Sequence, residues 1–230
     1  MNVVFEDSYT LYRIGMEWLL ADLFGHSEQV HFNVLDSDSI KHANIIVKNF
    51  SAGEQFLCQP MIKMRPQGCL LIGIVEGETE IAYGQLPLCQ SNSVFINRSD
   101  SRDKIADLVM QGWLRSLLET QAPAKLNCQV CKHQTLTVQQ ASVATRFYLG
   151  EETHAIARKM KISTKTVSSH KYIIMKKFNV GTDQDLLTLL HLLKNQLIIP
   201  NVFKECLNLC LVECANVVAW SPFAGTRRRY

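Results

Sequence analysis

Five short apolar runs recur in the first half of the chain, and segments with helical periodicity lie between some of them. The runs cover residues 2–5, 31–35, 45–49, 70–75 and 94–97. Residues 9–24 and 102–118 place apolar side chains three and four positions apart, which is typical of amphipathic helices. Gly, Pro and Gln interrupt residues 53–67 and 77–90, so these two segments are less clearly helical. Strands that alternate with helices over about 120 residues predict an α/β domain with a five-stranded parallel sheet, covered on both faces.

Charge divides the chain into an acidic first part and a basic second part. Residues 1–119 contain nine Lys and Arg against 15 Asp and Glu, a net charge of −6. Residues 120–195 contain 11 against four, a net charge of +7. This asymmetry predicts two domains, the second of which faces a polyanion. Apolar residues make up 47% and charged residues 20% of the 230 residues, which excludes a disordered chain.

The start of the chain and its hydropathy predict a cytoplasmic protein. Residues 1–24 lack the charged start, apolar stretch and small-residue cleavage site of a signal peptide. No run reaches the roughly 18–20 apolar residues that span a bilayer. We therefore expect no contact with a membrane and, for the eight cysteines, reduced thiols rather than a disulfide framework.

Cysteine spacing leaves one alternative open. Cys58, Cys69 and Cys89 are each isolated among apolar neighbours, and we interpret them as core residues. A helix is predicted over residues 203–220, and one side of it carries Cys206, Cys210 and Cys214. We interpret this stripe of thiols as a small buried face. Cys128 and Cys131 form a C-x-x-C pair with His133 two residues on, but a structural zinc site closes with four ligands. We expect no metal and no cofactor, and a thiol or zinc sensor built on Cys128, Cys131 and the tail cysteines is the alternative.

The basic part has the pattern of an all-α domain that contains a helix-turn-helix. Four helices are predicted, over residues 138–149, 152–160, 164–178 and 184–193. Gly150 ends the first helix in the position of a C-terminal cap. Lys161, Ile162 and Ser163 make a tight turn in which Ile162 is the apolar plug, and Ser163 or Thr164 caps the next helix. A short turn followed by a helix rich in Lys, Ser and Thr predicts a DNA-binding helix-turn-helix.

One face of the third of these helices is predicted to read DNA. Lys165, Ser168, Ser169 and Tyr172 lie at i, i+3, i+4 and i+7 and therefore share a face. A helix in the major groove presents such a face to base edges. Candidates for phosphate contacts are Lys165, Lys171, Lys176, Thr166 and His170.

Some 50 residues of the basic part match a known DNA-binding domain without a gap. The matching elements are Leu136-Thr137, Gly150, Ile156-Ala157, Ile162-Ser163, Thr166-Val167, His170 and Lys176-Lys177. The block resembles the LuxR/FixJ-type domain, and its run KTVSSHK is similar to that of enterobacterial auxiliary regulators. Gln140 departs from the glutamate that the family usually carries there, which implies the loss of a polar contact within the domain.

The same resemblance implies that two such domains pair through their fourth helices. The apolar face with the required spacing consists of Leu186, Leu189, Leu190 and Leu193. Paired domains imply two DNA half-sites one helical turn apart. The alternative is that these leucines close the core of their own domain.

The opening run VVFEDSYTLYRIGMEWLL resembles the first strand and helix of a response-regulator receiver. The matching residues are the strand-end pair Glu6 and Asp7 and, in the helix, Arg13 and Gly15. Receivers bind Mg²⁺ with such a pair and a phosphate-accepting aspartate at the end of strand 3. The resemblance places Asn49 at the acceptor position and Asn97 at that of the phosphate-pairing lysine. It implies a degenerate receiver that cannot be phosphorylated there and that pairs with itself or with another response regulator.

These features together predict a domain order and a function. The predicted regions are a receiver-like domain (1–119), a linker (120–134), the helix-turn-helix domain (135–195) and a tail of unknown role (196–230). We expect a dimeric, sequence-specific transcriptional regulator that binds promoter DNA and is not an enzyme. A regulator that acts by sequestering a partner regulator is a second alternative.

Overall fold

The structure is a computed structural model that describes residues 1–6, 10–26, 29–77, 81, 83–90, 92–118, 131, 134–196 and 200–219, with 212–219 as backbone alone. The chain divides into two compact units. The units are Met1–Gln134 with Phe178–Val180, and Thr135–Lys177 with Gly181–Tyr230. None of the helices within the described ranges has the length and apolar content that crossing a bilayer requires.

The first unit is an α/β domain with a five-stranded sheet. Its elements are β1 (Asn2–Phe5), α1 (Thr10–Phe24), β2 (His31–Val34), β3 (Ile45–Asn49), β4 (Leu70–Val75), β5 (Ser93–Asn97) and α2 (Arg102–Leu118). The strands lie in the order β2-β1-β3-β4-β5, and every neighbouring pair is parallel. Together with the helical second unit, this sheet confirms the predicted fold class.

Apolar side chains fill both faces of the sheet because successive residues of a strand point to opposite sides. On the face that packs with α1 and α2, the buried residues include Val3, Phe5, Leu20, Ile72 and Val109. On the opposite face they include Val4, Ile46, Ile62, Leu71 and Phe95. Because all five strands are parallel, the polar residues that follow them lie at the same edge of the sheet, the carboxyl edge.

The connections on either side of β4 contain no α-helix within the described residues. They contain single 3₁₀ turns at Glu54–Phe56, Ile62–Met64, Tyr83–Gln85 and Leu88–Gln90. The Gly and Pro residues that break the helical periodicity explain this, because Pro removes an amide donor and Gly raises the entropic cost of a helix. The segments nevertheless bury side chains, including those of Cys58 and Cys89.

The second unit is helical. Its elements are α3 (Val138–Tyr148), α4 (Thr153–Met160), α5 (Thr164–Lys177), α6 (Asp183–Asn195) and α7 (Val202–Ala219). Capping boxes begin α3 and α6, with Thr137 paired to Gln140 and Thr182 paired to Asp185. Gly150 follows α3 with a φ of 81°, a left-handed conformation that glycine adopts without strain.

Helix α7 packs against α3 and α6. Phe203 and Leu207 are each only 2% exposed, and the Phe203 ring meets Tyr148 of α3 edge-on with 5.8 Å between centroids. The side-chain amide of Asn201 donates to the carbonyl of Leu193 at 2.7 Å, at the end of α6. The start of the tail is therefore part of the core of the second unit, a role that its sequence pattern left open.

Candidate functional site

The turn between α4 and α5 sets the direction in which α5 leaves it. Lys161 ends α4 in the left-handed conformation, with a φ of 54°. The hydroxyl oxygen of Ser163 accepts the N–H of Thr166 at 3.0 Å. Of the two predicted caps, Ser163 is thus the residue that satisfies an otherwise unpaired amide at the start of α5.

The inner face of α5 is fixed by apolar packing. Val167 and Ile174 are buried, and Val167 shares a cluster with Val143 of α3 and Ile156 of α4. Positions seven residues apart lie two turns apart on the same side of a helix. The opposite side of α5 therefore faces away from this core.

That outward side carries Lys165, Ser168, Ser169 and Tyr172, here named the reading face, and all four are exposed. The Ser169 hydroxyl donates to the carbonyl of Lys165 at 2.9 Å, so its oxygen presents lone pairs to the outside. Lys176, one turn beyond Tyr172, is also exposed. The arrangement places short polar side chains between two cations, which suits base edges flanked by phosphates.

The three other predicted DNA contacts are engaged within the domain or partly buried. The ammonium of Lys171 lies 2.7 Å from the carboxylate of Asp183 and 4.8 Å from the centre of the Phe147 ring. The hydroxyl of Thr166 takes part in the cap that begins α5. His170 is half-buried, and its Nδ1 has no hydrogen-bond partner among the described residues. In this structure these side chains support α5 more than they extend from it.

The leucines of α6 do not form an open pairing face. Leu186, Leu189, Leu190 and Leu193 are all buried, with exposures of 7% or less. Helix α6 packs against α3 and α7. The expectation that these leucines pair two domains is wrong, because they close the core of their own unit.

Gln140, where the family usually has a glutamate, makes polar contacts within the domain, although the substitution was expected to remove such a contact. Its side-chain oxygen accepts the N–H of Thr137 at 3.0 Å, and its own N–H donates to the Thr137 hydroxyl at 3.3 Å. An amide oxygen serves as the acceptor in a capping box as a carboxylate oxygen does. The substitution therefore leaves the start of α3 capped.

A second cluster of polar residues lies at the carboxyl edge of the sheet in the first unit. The parallel register of β1 and β3 pairs Phe5 with Val47 and so brings Glu6 beside Lys48. The ammonium of Lys48 is 2.7 and 2.9 Å from the two carboxylate oxygens of Glu6 and 3.0 Å from Glu54. Lys48 is only 5% exposed. The cluster thus contains a buried cation that belongs to the chain itself.

Asn49 is contacted by an arginine from the end of β5. One Nη of Arg98 donates to the Asn49 side-chain oxygen at 3.1 Å, and Nε of Arg98 donates to Glu76 at 3.1 Å. Asn97 instead turns to Gly77 and Ser99, whose backbone and hydroxyl groups it bonds. The resemblance assigns Asn97 to the position of the phosphate-pairing lysine, and in the structure the next residue, Arg98, is the one that contacts Asn49. Asp7, the remaining predicted member, lies outside the described residues.

These residues do not fit the Mg²⁺ site that the receiver fold implies. Mg²⁺ requires carboxylate and other oxygen ligands, whereas the Glu6 carboxylate is already paired with an ammonium group. Asn49, which the resemblance places at the acceptor position, has a neutral amide whose oxygen accepts a hydrogen bond from the guanidinium of Arg98. Sequence reasoning missed Lys48, Glu54 and Arg98, and the only signal was a lysine inside the apolar run of β3.

Comparisons with known proteins agree with the division of the chain into an α/β unit and a helix-turn-helix unit. Residues 134–190 match the family of bacterial regulatory proteins called the luxR family. None of the curated proteins matches this sequence.

Two solved structures share the fold over most of the chain. A complex of the two-component response regulator RcsB with DNA is 17% identical, with a TM-score of 0.52. A structure of two RcsB dimers bound to two parallel DNAs is 18% identical, with a TM-score of 0.54. Each match covers 83% of this chain and 98% of the RcsB chain. The chain therefore has the fold of a receiver followed by a helix-turn-helix unit, and its residues 134–190 are a domain of the luxR family of bacterial regulatory proteins.

Proposed function

We propose that this protein is a sequence-specific DNA-binding transcriptional regulator whose α5 lies in the major groove of promoter DNA. The observation that carries the proposal is the exposed reading face on a helix whose opposite side is packed into a luxR-family domain. Ser168, Ser169 and Tyr172 contact base edges, and Lys165 and Lys176 contact phosphates. Thr166, His170 and Lys171 orient the helix and reach DNA only where their internal contacts are exchanged.

A binding series with matched variants tests this function. Duplexes enriched from a random pool by the wild-type protein serve as the probe, measured by fluorescence anisotropy over a range of salt concentrations. Lys165→Ala should weaken binding to every sequence and reduce the salt slope by about one. Ser168→Ala should instead change the base preference at one position. Lys41→Ala, an exposed lysine of the first unit, is the control and should change neither.

The proposal fails if the wild-type protein enriches no DNA sequence. It also fails if Lys165→Ala and Lys41→Ala have the same effect, because binding would then be independent of α5. Regulatory activity that survives the charge-reversing substitutions Lys165→Glu and Lys171→Glu would favour the alternative of partner sequestration.

We propose further that the first unit takes no phosphoryl group and that the protein has no catalytic role. Support comes from the neutral Asn49 amide at the acceptor position and from Lys48 beside Glu6. Incubation with acetyl phosphate and Mg²⁺ should leave the intact mass unchanged. A mass increase of one phosphoryl group, mapped to the first unit, would contradict this part of the proposal.

Dimerisation through the first unit is the third part of the proposal. Leu11, Ile14 and Trp18 lie on one side of α1 and are exposed, Leu11 to 86% and Trp18 to 77%. Leu11 and Trp18 border a cavity of about 600 Å³ between α1 and α2. Contiguous exposed apolar side chains of this kind are typical of protein–protein contacts. The face serves a second copy of the chain or another response regulator.

Sedimentation of the purified protein distinguishes the two partners. A homodimer should have a sedimentation-derived mass of twice the 26.1 kDa of one chain, and the Trp18→Glu variant should be a monomer. Tyr83→Glu, an exposed aromatic away from α1, is the control. A wild-type monomer that binds DNA only when another response regulator is added indicates the heterodimer. A monomer that binds its DNA alone with full affinity would contradict dimerisation.

A further inference from the structure

We propose that Cys58 and Cys89 form a reversible disulfide when the protein meets a peroxide, and that this bond joins the connection before β4 to the connection after it. The two cysteines are 31 residues apart in the sequence, and neither is in a disulfide in the structure. The proposal is independent of the proposed function. It rests on the contact between the two sulfurs and on the hydrogen bonds that hold their segments together.

The sulfur atoms of the pair are already in contact. Sγ of Cys58 and Sγ of Cys89 are 3.7 Å apart, and both residues are buried. The S–S bond of a disulfide is about 2.05 Å long, so oxidation requires only a short approach of the two sulfurs. Among the described residues, no group of three or more His, Cys, Asp or Glu side chains is arranged to hold a metal ion. Oxidation to a disulfide is the chemistry that needs these two thiols and no third ligand.

Hydrogen bonds from neighbouring residues hold the two connections together at this point. The side-chain amide of Gln90 donates to the carbonyl of Leu57 at 3.0 Å. The N–H of Gln59 donates to Sγ of Cys89 at 3.2 Å. The residues on both sides of Cys58 thus contact Cys89 or the residue that follows it. Because the fold keeps the two sulfurs together, their reaction is intramolecular and proceeds at a high effective concentration.

The surroundings of Cys89 favour its thiolate, which is the form that attacks a peroxide. The hydrogen bond with Cys58 lowers the pKa of the Cys89 thiol, and the Gln59 amide adds to this effect, although burial opposes it. Cys69 is buried as well, but there burial raises the pKa of the thiol to about 12. Cys89 is therefore the nucleophile of the pair, and Cys69 should react far more slowly.

Each cysteine of the pair lies directly next to a residue that reaches the surface. Gln59, which follows Cys58, is half-buried, and Leu88, which precedes Cys89, is exposed. Within the described residues, the two connections contain only single 3₁₀ turns, and segments of this kind open locally at a low cost in free energy. A small oxidant such as hydrogen peroxide can therefore reach the sulfurs without unfolding of the sheet.

The reaction consumes one peroxide and oxidises the pair by two electrons. The Cys89 thiolate attacks a peroxide oxygen, an S–O bond forms, the O–O bond breaks, and the departing hydroxide takes up a proton to become water. Cys58 then loses its proton to solvent, and its thiolate attacks the sulfenic acid sulfur of Cys89. The S–S bond forms as the S–O bond breaks, and the second hydroxide leaves as water. Two thiols and one hydrogen peroxide thus give one disulfide and two water molecules.

The location of the bond determines what it changes. It closes a loop of the chain that contains the whole of β4, and such a crosslink stabilises a fold mainly by restricting the unfolded chain. The segment that carries Cys58 also supplies Glu54 to Lys48, and the Gln59 side chain donates to Glu54 at 3.0 Å. We therefore expect the oxidised first unit to melt at a higher temperature than the reduced one.

Peptide mapping of the full-length protein tests the proposal. The protein is reduced, freed of reductant, treated with hydrogen peroxide, alkylated in denaturant and digested. Mass spectrometry should find the peptide of Cys58 linked to the peptide of Cys89, and dithiothreitol should reverse the link. Cys89→Ser should abolish it. Cys69→Ser, a buried cysteine outside the pair, and Cys131→Ser should both retain it.

Several results would overturn the proposal. These are full alkylation of Cys58 and Cys89 after peroxide treatment, oxidation of Cys89 to a sulfinic acid without a linked peptide, and a link from Cys89 to Cys131 in place of Cys58. An equal yield of the link in urea-unfolded protein would show that the fold does not assemble the pair. Because a serine variant can fail to fold, the wild-type protein is also melted before and after peroxide treatment. The melting temperature should rise and return with dithiothreitol, and an unchanged temperature counts against the bond. Each of these readouts is independent of DNA binding.

Discussion

Lys48 shows how one side chain decides the chemistry of a strand end. Its ammonium lies between the carboxylates of Glu6 and Glu54 at hydrogen-bond distance. Removing a charge from water is costly, and the cost is offset only while oppositely charged partners remain in place. The cluster is therefore stable as a unit and sensitive to the loss of any one member.

Replacing Lys48 with methionine should test this dependence. We expect Lys48→Met to lower the free energy of unfolding of the first unit by about 3 kcal/mol, because Glu54 is left buried without its cation. Urea denaturation followed by circular dichroism measures the change. Lys41→Met removes an exposed ion pair with Asp38 and should cost at most about 0.5 kcal/mol. Equal costs for the two variants would show that burial does not matter here.

Asp100 should make the first unit sensitive to acid. A hydrogen bond from Lys104 at 2.5 Å lowers the pKa of Asp100 below its usual 3.8, and the Asn97 amide contributes. A lowered pKa in the folded state stabilises the fold above pH 3.8, and this contribution is lost as the pH falls through the lowered value. Asp100→Asn should therefore have a lower denaturation midpoint at pH 7 but approach the wild type below pH 3.8. Parallel pH curves would exclude this role.

Residue roles were only partly predictable from the sequence. The i, i+3, i+4, i+7 pattern predicted the reading face because helix geometry alone fixes which side chains share a side. It did not predict that Lys171 pairs with Asp183, since that partner lies on another helix. The pattern also did not predict that Arg98 contacts Asn49, because the direction of the Arg98 side chain depends on how the chain leaves β5.

At the scale of elements, the start of α3 depends on a reciprocal cap. We expect Thr137→Ala to lower the free energy of unfolding of the second unit by about 1 kcal/mol, because the N–H of Gln140 loses the hydroxyl that accepts it. Ser142→Ala, later in the same helix, removes only a bond to the Val138 carbonyl and should be nearly neutral. Denaturant titration of both variants checks this. A neutral Thr137→Ala would mean that water replaces the cap at no cost.

Helix α7 should be required for the stability of the second unit. Phe203→Ala removes a ring that is 2% exposed and should cost about 3 kcal/mol or more. Leu209→Ala, on the exposed side of the same helix, should change stability by less than about 0.5 kcal/mol. Thermal melts of the two variants, followed by urea titration, measure the difference. Similar values would place α7 outside the core.

The elements themselves were largely predictable, whereas their packing was not. Periodicity gave β1, β3, β4 and α2 with the bounds that the structure has, because burial imposes a clear pattern on each. The leucines of α6 had the spacing of a pairing face and of a core face alike, and the packing of α6 against α3 and α7 decides between them. The contact between Phe203 and Tyr148 could not be predicted, because Phe203 lies in a segment outside the part of the chain that resembles a known domain.

At the scale of the whole molecule, each unit has its own core, so their stabilities should be separable. We expect the double variant Lys48→Met and Phe203→Ala to lose the sum of the two single losses within about 0.5 kcal/mol, since the sites share no partner. Calorimetry should show that each substitution shifts only the transition of its own unit. A loss that departs clearly from the sum would show energetic coupling between the units.

The ammonium of Lys48 has a consequence that follows from mass action. A free ion binds in proportion to its concentration, and dilution or competition can remove it. A cation attached to the backbone has no such equilibrium, because it cannot diffuse away from Glu6 and Glu54. The pairing of Glu6 and Glu54 with a cation should thus depend on no ion supplied by the medium.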